Sequence, residues 1–244
     1  MPGSSESANK AHWESVGASY RAEWELPGKR VLSERELAFV ARHLTESGVG
    51  AGAALDVGTG NGRILDRLLA TAPDIEFYGI DVAAAMLAVC EARFQDEPRV
   101  KGLRACDISQ DPVPFDRRFG FVSAIRVLKY SPTWPESVAR LADSLEPGGR
   151  LVFSMPNRVS ANRLSRDYAV PWFQTSRRDL VALCERLGLR TLEIAGFVRL
   201  PYLAYRRVGD GLPLKMLVGT ENGLERMLGP TFLTRELFVA ATTA

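Results

Sequence analysis

From residue 53 onward, short apolar runs alternate with segments whose apolar residues recur every three or four positions. Ala53–Val57, Ile75–Ile80, Val100–Ala105, Phe119–Ile125 and Arg150–Met155 have the length and character of strands. Arg63–Thr71, Ala83–Phe94 and Glu136–Leu145 carry the helical period between them. Strands separated by helices predict right-handed crossovers and a mainly parallel sheet with helices on both faces. Past Met155 the alternation loosens. Pro156–Gln174 reads as irregular, Arg177–Leu187 as a helix stopped by Gly188, and Arg190–Phe197 as a strand. Val198–Pro230 reads as a second irregular stretch and Phe232–Ala241 as a final strand. Upstream, Ala11–Leu44 reads as helix broken near Pro27-Gly28, with Trp13, Val16, Tyr20 and Trp24 in one stripe. The expected architecture is one α/β domain over 11–244, with a doubly wound, seven-stranded, mainly parallel sheet. Helices over 11–50 form its N-terminal cover, insertions at 156–175 and 198–230 cover the substrate, and 1–10 form a disordered tail.

In an open sheet of this kind, ligands bind beyond the carboxyl ends of the strands, where the strand order reverses. Gly58–Gly62, Asp81, Asp107 and Arg126–Tyr130 all fall at such ends. The densest of these stretches is Leu55-Asp56-Val57-Gly58-Thr59-Gly60-Asn61-Gly62-Arg63, which reads as strand, tight turn and helix start. A turn without Cβ atoms lets backbone approach a ligand, and the helix N-terminus behind it offers free N–H groups. A phosphate-binding Walker loop would need Lys and Ser/Thr after the last glycine, where this chain has Arg63-Ile64. A dinucleotide fingerprint would need a small residue where Arg63 stands. Asp56, just before the glycines, would repel a pyrophosphate but suits a ligand that carries an ammonium group and no phosphate.

Composition narrows the partners. A net charge of +2 over 244 residues gives no general attraction to nucleic acid, and no apolar run approaches membrane-spanning length. The arginines Arg158, Arg163, Arg166, Arg177 and Arg178 read mostly as solvated surface. The polar start lacks the apolar middle of a signal peptide, and Cys90, Cys106 and Cys184 show neither a disulfide framework nor a metal-ligand spacing. These features predict a cytoplasmic protein, monomeric or homodimeric, with no metal, nucleic acid or membrane partner.

Taken in order, the LDVGTGNGR loop, Asp81 in YGIDVAAAM, Asp107-Ile108 in ACDIS, the AIRVLKY segment and LEPGGRLVFSMPN resemble the class I SAM-dependent methyltransferases of the small-molecule branch. The resemblance runs from about Trp13 to the C-terminus. It implies a Rossmann-like fold, S-adenosyl-L-methionine as cofactor and S-adenosyl-L-homocysteine as product. Carried onto this chain, Asp56, Gly58, Thr59 and Gly60 would line the methionine moiety and Gly62 would close the turn. Asp81 would accept the ribose hydroxyls, Val82 and Met86 would pack the adenine, and Asp107 with Ile108 would meet its amino edge. Arg126 would close over the methionine side, and Tyr20 would stand near the methyl donor.

Relatives often place a histidine after strand four, where this chain has Arg126-Val127-Leu128-Lys129-Tyr130. Lys129 and Tyr130 are the catalytic candidates left there, with Lys129 better suited to orienting an acidic substrate than to removing a proton. His12 and His43 read as surface or helix-end residues. Asp111-Pro112-Val113-Pro114-Phe115 imitates a nucleic-acid methyltransferase motif but follows strand three, the wrong strand for it. Tyr168, Trp172 and Phe173, then Tyr202 and Tyr205, offer an aromatic wall for a small, partly apolar acceptor of secondary metabolism. Two other readings keep the same motifs: an enzyme that uses the cofactor for a non-methylating reaction such as a cyclisation, and a cofactor-binding interaction subunit.

Overall fold

The computed structural model describes residues 10–15, 24–50, 52–160 and 171–244. Seven strands form one sheet: β1 Ala53–Val57, β2 Glu76–Asp81, β3 Val100–Ala105, β4 Phe119–Ala124, β5 Leu145–Pro156, β6 Arg190–Ala195 and β7 Glu236–Thr242. Their order is β3-β2-β1-β4-β5-β7-β6. Neighbours from β3 to β5 are parallel, whereas β7 runs antiparallel to both β5 and β6. The direction of winding reverses between β1 and β4.

β1, β4 and β7 are buried at every position, as continuous apolar strands covered on both faces must be. On one face α1 (Pro27–Ser47), α2 (Arg63–Thr71) and α3 (Ala84–Phe94) contribute Val40, Leu68 and Cys90 to a core with Phe77 and Phe121. On the other, α4 (Trp134–Asp143) and α5 (Arg177–Arg186) contribute Leu141 and Leu183 to a core with Leu55 and Phe153. α5 ends as its sequence predicts. Gly188 takes φ 69°, and the Leu189 N–H returns to the Cys184 carbonyl at 2.9 Å.

The tail of the chain departs from expectation. Most of Val198–Pro230 is helical, as α6 (Tyr202–Arg207) and α7 (Leu212–Leu228). Exposed Leu212, Met216 and Met227 blur the apolar period of α7, which hid it in the sequence. Pro147-Gly148-Gly149 lies inside β5 rather than before it, since β5 already begins at Leu145. Residues 10–15 are helical, as expected of the cover. The expected tail over 1–9 and the centre of the cover, 16–23, lie outside the described residues, as do residues 161–170 of the first insertion.

Candidate functional site

A cavity of about 390 Å³ opens beyond the carboxyl ends of β1, β2 and β4, at the reversal of strand order. The turn after β1 forms its floor. Gly58 takes φ 65°, and its N–H and that of Thr59 both reach the Ile80 carbonyl, at 2.7 and 3.0 Å. A Cβ on Gly58 would stand 2.1 Å from a Val127 methyl, so this glycine serves both the turn and the loop packed beside it. Gly60 and Asp81 are linked directly: the Gly60 N–H donates to Asp81 Oδ2 at 2.8 Å, and the Ala83 N–H to Oδ1 at 2.9 Å. Two backbone bonds orient the carboxylate and leave each oxygen a further lone pair. Burial raises the Asp81 carboxyl above the usual range against these bonds. Asp107 is held similarly, by the Ser109 N–H at 3.0 Å, the Ser109 hydroxyl at 2.6 Å and the Gln110 amide at 3.2 Å.

Among the predicted residues, Gly58, Gly60, Asp81, Val82, Met86, Asp107, Ile108, Arg126, Lys129, Tyr130 and Tyr202 line this cavity. Asp56, Thr59 and Gly62 sit beneath the turn instead, with Asp56 only 1% exposed. Asp56 Oδ1 accepts from the Ser123 hydroxyl at 2.7 Å, while Oδ2 has no hydrogen-bond partner among the described residues. Burial pushes this carboxyl up to about 7. Tyr205 is not in the cavity wall; it packs with Leu32 and Val198 in a satellite core. Trp172 and Phe173 are also absent from the wall, and the Phe173 N–H donates to the Lys129 carbonyl at 2.7 Å. Tyr20 and Tyr168 lie outside the described residues.

Arg126 stands in an arrangement its sequence position does not announce. At φ 64° it is one of two non-glycine residues in the left-handed region among the described residues. Its guanidinium is committed to protein: Nε donates to Glu36 Oε1 at 2.9 Å, Nη1 pairs with Glu236 Oε2 at 3.2 Å, and Nη2 donates to the Tyr202 hydroxyl at 2.9 Å. Glu36, 2% exposed, also takes Arg63 Nη2 at 3.1 Å. Burial would raise the Glu236 carboxyl, but the charges of Arg126 and Lys129 and the Ser154 hydroxyl outweigh it and hold it below the usual range. Arg126 thus joins α1, β4, β7 and α6, and its side chain braces the wall that it lines.

Several cavity residues were not selected from the sequence. Trp13 stacks edge-on against Tyr130 at 5.5 Å, and His12, half-buried, lines the wall beside it rather than facing away. Glu14 accepts the N–H groups of Ala84 and Ala85, both at 2.9 Å, and so latches residues 10–15 onto the start of α3. Its carboxyl is lowered by those two bonds. Lys29 lies over the Trp24 ring at 5.2 Å and the Tyr202 ring at 5.1 Å, while Arg235 stacks on Tyr202 at 4.5 Å. The aromatic stripe at Trp13 and Trp24 was the only signal pointing to this group. The cations come from helices and strands far apart in the chain, so no local pattern could gather them.

Comparison with known proteins follows the same outline. Residues 55–151 match a family model described as a methyltransferase domain. A trans-aconitate 2-methyltransferase of Methylobacterium radiotolerans is 33% identical over 148 residues, 59% of this chain and 54% of that protein. A malonyl-[acyl-carrier protein] O-methyltransferase of Halalkalibacterium halodurans is 26% identical over 175 residues, 71% of this chain and 59% of that one. The chain therefore spans just over half the length of these curated relatives. In fold, it is similar to a Haloferax volcanii methyltransferase solved in complex with the Trm112 activator. That match has a TM-score of 0.66 and 17% identity, covering 95% of this chain and 97% of the other. It is also similar to magnesium protoporphyrin IX methyltransferase of Synechocystis with bound SAM, with TM-score 0.60, 11% identity and 97% of each chain covered.

Proposed function

We propose that this chain, whose residues 55–151 match a methyltransferase domain, is a class I SAM-dependent methyltransferase that moves a methyl group from S-adenosylmethionine to a small organic acceptor. The observation that carries this reading is the Gly58–Gly60 turn tied to the Asp81 carboxylate at the mouth of the β1/β4 reversal. The residues present suit the cofactor. The free lone pairs of Asp81 can accept two ribose hydroxyls, and Met86 and Ile108 offer apolar surface for a purine. Beneath the turn and outside the cavity lining, the Asp56 carboxylate, once ionised, gives the floor a negative potential that complements an ammonium group. When bound, the cofactor supplies a methyl group on a positively charged sulfur, ready for in-line displacement.

The chain's own part is positioning and exclusion of water. Aligning donor and acceptor at about 3–3.5 Å supplies much of the rate enhancement in such a transfer. Trp13, Tyr130 and Tyr202 give the acceptor side apolar surface, and the Glu14 latch holds residues 10–15 across α3. Three free cysteines fit the reducing cytoplasm as the place of action.

Calorimetry with S-adenosylhomocysteine tests the reading. Folded protein is expected to bind it, and Asp81→Ala to weaken binding by about 2–3 kcal/mol, the value of hydrogen bonds to a charged group. A folded wild-type protein that binds neither S-adenosylhomocysteine nor S-adenosylmethionine would refute it.

A further inference from the structure

The cavity is electrically divided along the sheet. Its lining acids, Asp81 and Asp107, follow β2 and β3, on the side of the turn assigned to the nucleoside. Beyond β4 the described wall is cationic: Lys29, Arg126, Lys129, Arg206 and Arg235 line it. Three of these are deeply buried, Lys29 at 8%, Lys129 at 5% and Arg235 at 2% exposure. Arg235 arrives there because β7 is antiparallel, so that its first residues lie beside the carboxyl end of β5. The Tyr202 ring is the hub, with Arg235 at 4.5 Å, Lys29 at 5.1 Å and Arg126 at 5.4 Å from its centre. Glu36 and Glu236 pair with Arg126, the charge of Lys129 also acts on Glu236, and neither carboxylate belongs to the lining. A largely buried wall rich in one sign of charge raises the local concentration of the opposite ion.

Resting on the methyl-transfer reading above, we propose that the acceptor is a small di- or tricarboxylic acid and that the product is its methyl ester. One carboxylate sits against Lys29 and Arg235 around Tyr202, with Lys129 over the neighbouring Tyr130 ring. A second, turned toward the donor past Val127 and Tyr130, receives the methyl group. In any one bound pose the carboxylate held by the cations is not the one methylated, because an oxygen engaged by a cation's N–H groups has its lone pairs occupied. The second oxygen's lone pair forms the new O–C bond while the C–S bond breaks and its electrons return to sulfur. The sulfonium charge and one carboxylate charge disappear together, and no proton moves. A general base is therefore unnecessary, which suits a loop after β4 that carries Lys129 rather than a histidine.

The test uses wild type, Lys29→Gln, Arg235→Gln and, as a control on the exposed side of α5, Arg186→Gln, with S-adenosylmethionine and a panel of succinate, glutarate, fumarate, trans-aconitate and propane-1,2,3-tricarboxylate. The diamides and diols of the same skeletons serve as neutral controls. Ester formation is read by mass and by methanol released in alkali, which methyl ethers and methylamines do not give. Wild type is expected to esterify at least one acid and none of the controls. Lys29→Gln and Arg235→Gln should raise KM for that acid about tenfold or more, as loss of a charge-assisted bond requires, with S-adenosylhomocysteine affinity changed less than about twofold. Arg186→Gln should keep turnover. If S-adenosylhomocysteine binds but no acid is esterified, or a neutral control is methylated instead, the acceptor proposal fails while the methyl-donor reading stands. A matching loss of S-adenosylhomocysteine affinity in Lys29→Gln and Arg235→Gln would assign the cationic wall to the cofactor's own carboxylate and also overturn the proposal. Failure of wild type to bind S-adenosylhomocysteine at all would overturn the methyl-donor reading itself.

Discussion

Replacing Arg126 with methionine isolates the electrostatics that hold the cavity wall. The guanidinium is 13% exposed and sits between Glu36 and Glu236, which are themselves 3% and 6% exposed as side chains. Methionine keeps much of the apolar stem, and it keeps the backbone at φ 64°, so the left-handed strain is common to both proteins. What changes is that two buried carboxylates lose a cation, although Glu36 keeps Arg63 at 3.1 Å. Breaking a buried pair this way costs about 3–5 kcal/mol, to be set against a total stability of about 5–15 kcal/mol. For a chain of this length, that loss corresponds to a fall in Tm of roughly 6–20 °C. Urea unfolding at pH 8 followed by circular dichroism gives the number directly, provided the slope with denaturant matches wild type. The deficit should shrink as pH falls. Glu236 is depressed in the native protein, so its pairing contributes stability above its unfolded pKa, lost as pH drops through the lower folded value. Arg126→Gly adds an internal control, recovering about 1–2 kcal/mol of conformational strain relative to methionine, less its own entropy cost. A loss below about 1 kcal/mol for Arg126→Met would show that the pairs merely offset their desolvation and would refute this account of the wall.

Other expectations follow from the same geometry. Because burial lifts the Asp56 carboxyl to about 7, the native state holds its proton more tightly than the unfolded chain. Stability should therefore decline by roughly 3–5 kcal/mol as pH rises from about 4 to 7, and Asp56→Asn should flatten that slope in thermal scans. Affinity for S-adenosylhomocysteine should strengthen as pH passes 7 and the carboxylate forms, and a flat calorimetric profile from pH 6 to 8 would remove Asp56 from cofactor binding. Gly58→Ala should destabilise by at least about 1–2 kcal/mol from its positive φ alone. It should lose more from the 2.1 Å approach to Val127, and Val127→Ala should restore only that second part in chemical denaturation. Glu14→Ala should speed hydrogen exchange at the Ala84 and Ala85 amides, which lose their acceptor; unchanged exchange there would deny the latch.

Much of the sheet was legible because β1, β2, β3 and β4 are short, apolar and separated by amphipathic segments whose period survives reading. The glycine turn and Asp81 were legible because their chemistry is local: φ values, a carboxylate and a helix start within one βα unit. Reading was silent where structure depends on distant partners. Nothing local marks Arg126 as a brace of the wall, because Glu36 and Glu236 lie 90 and 110 positions away in the chain. Tyr205 looked like its neighbour Tyr202, yet three residues on along α6 its ring is buried in a satellite core while Tyr202 lines the cavity. His12 carries no distinguishing context in sequence; only the seating of residues 10–15 against α3, made by Glu14, brings it to the wall.

The reversed direction of β7 has a bearing on how the site comes into being. Every strand from β1 to β5 can find its neighbour as soon as the next crossover is complete. Arg235, by contrast, reaches the cavity, and Glu236 reaches Arg126 behind it, only when β7 takes its place between β5 and β6. Until then Arg126 has one of its two carboxylates, Ser154 has no Glu236 to hold, and Tyr202 lacks the guanidinium on its face. The glycine turn and Asp81 therefore lie among strands made early, while the opposite wall is complete only once β7, made after the other six strands of this sheet, is in place.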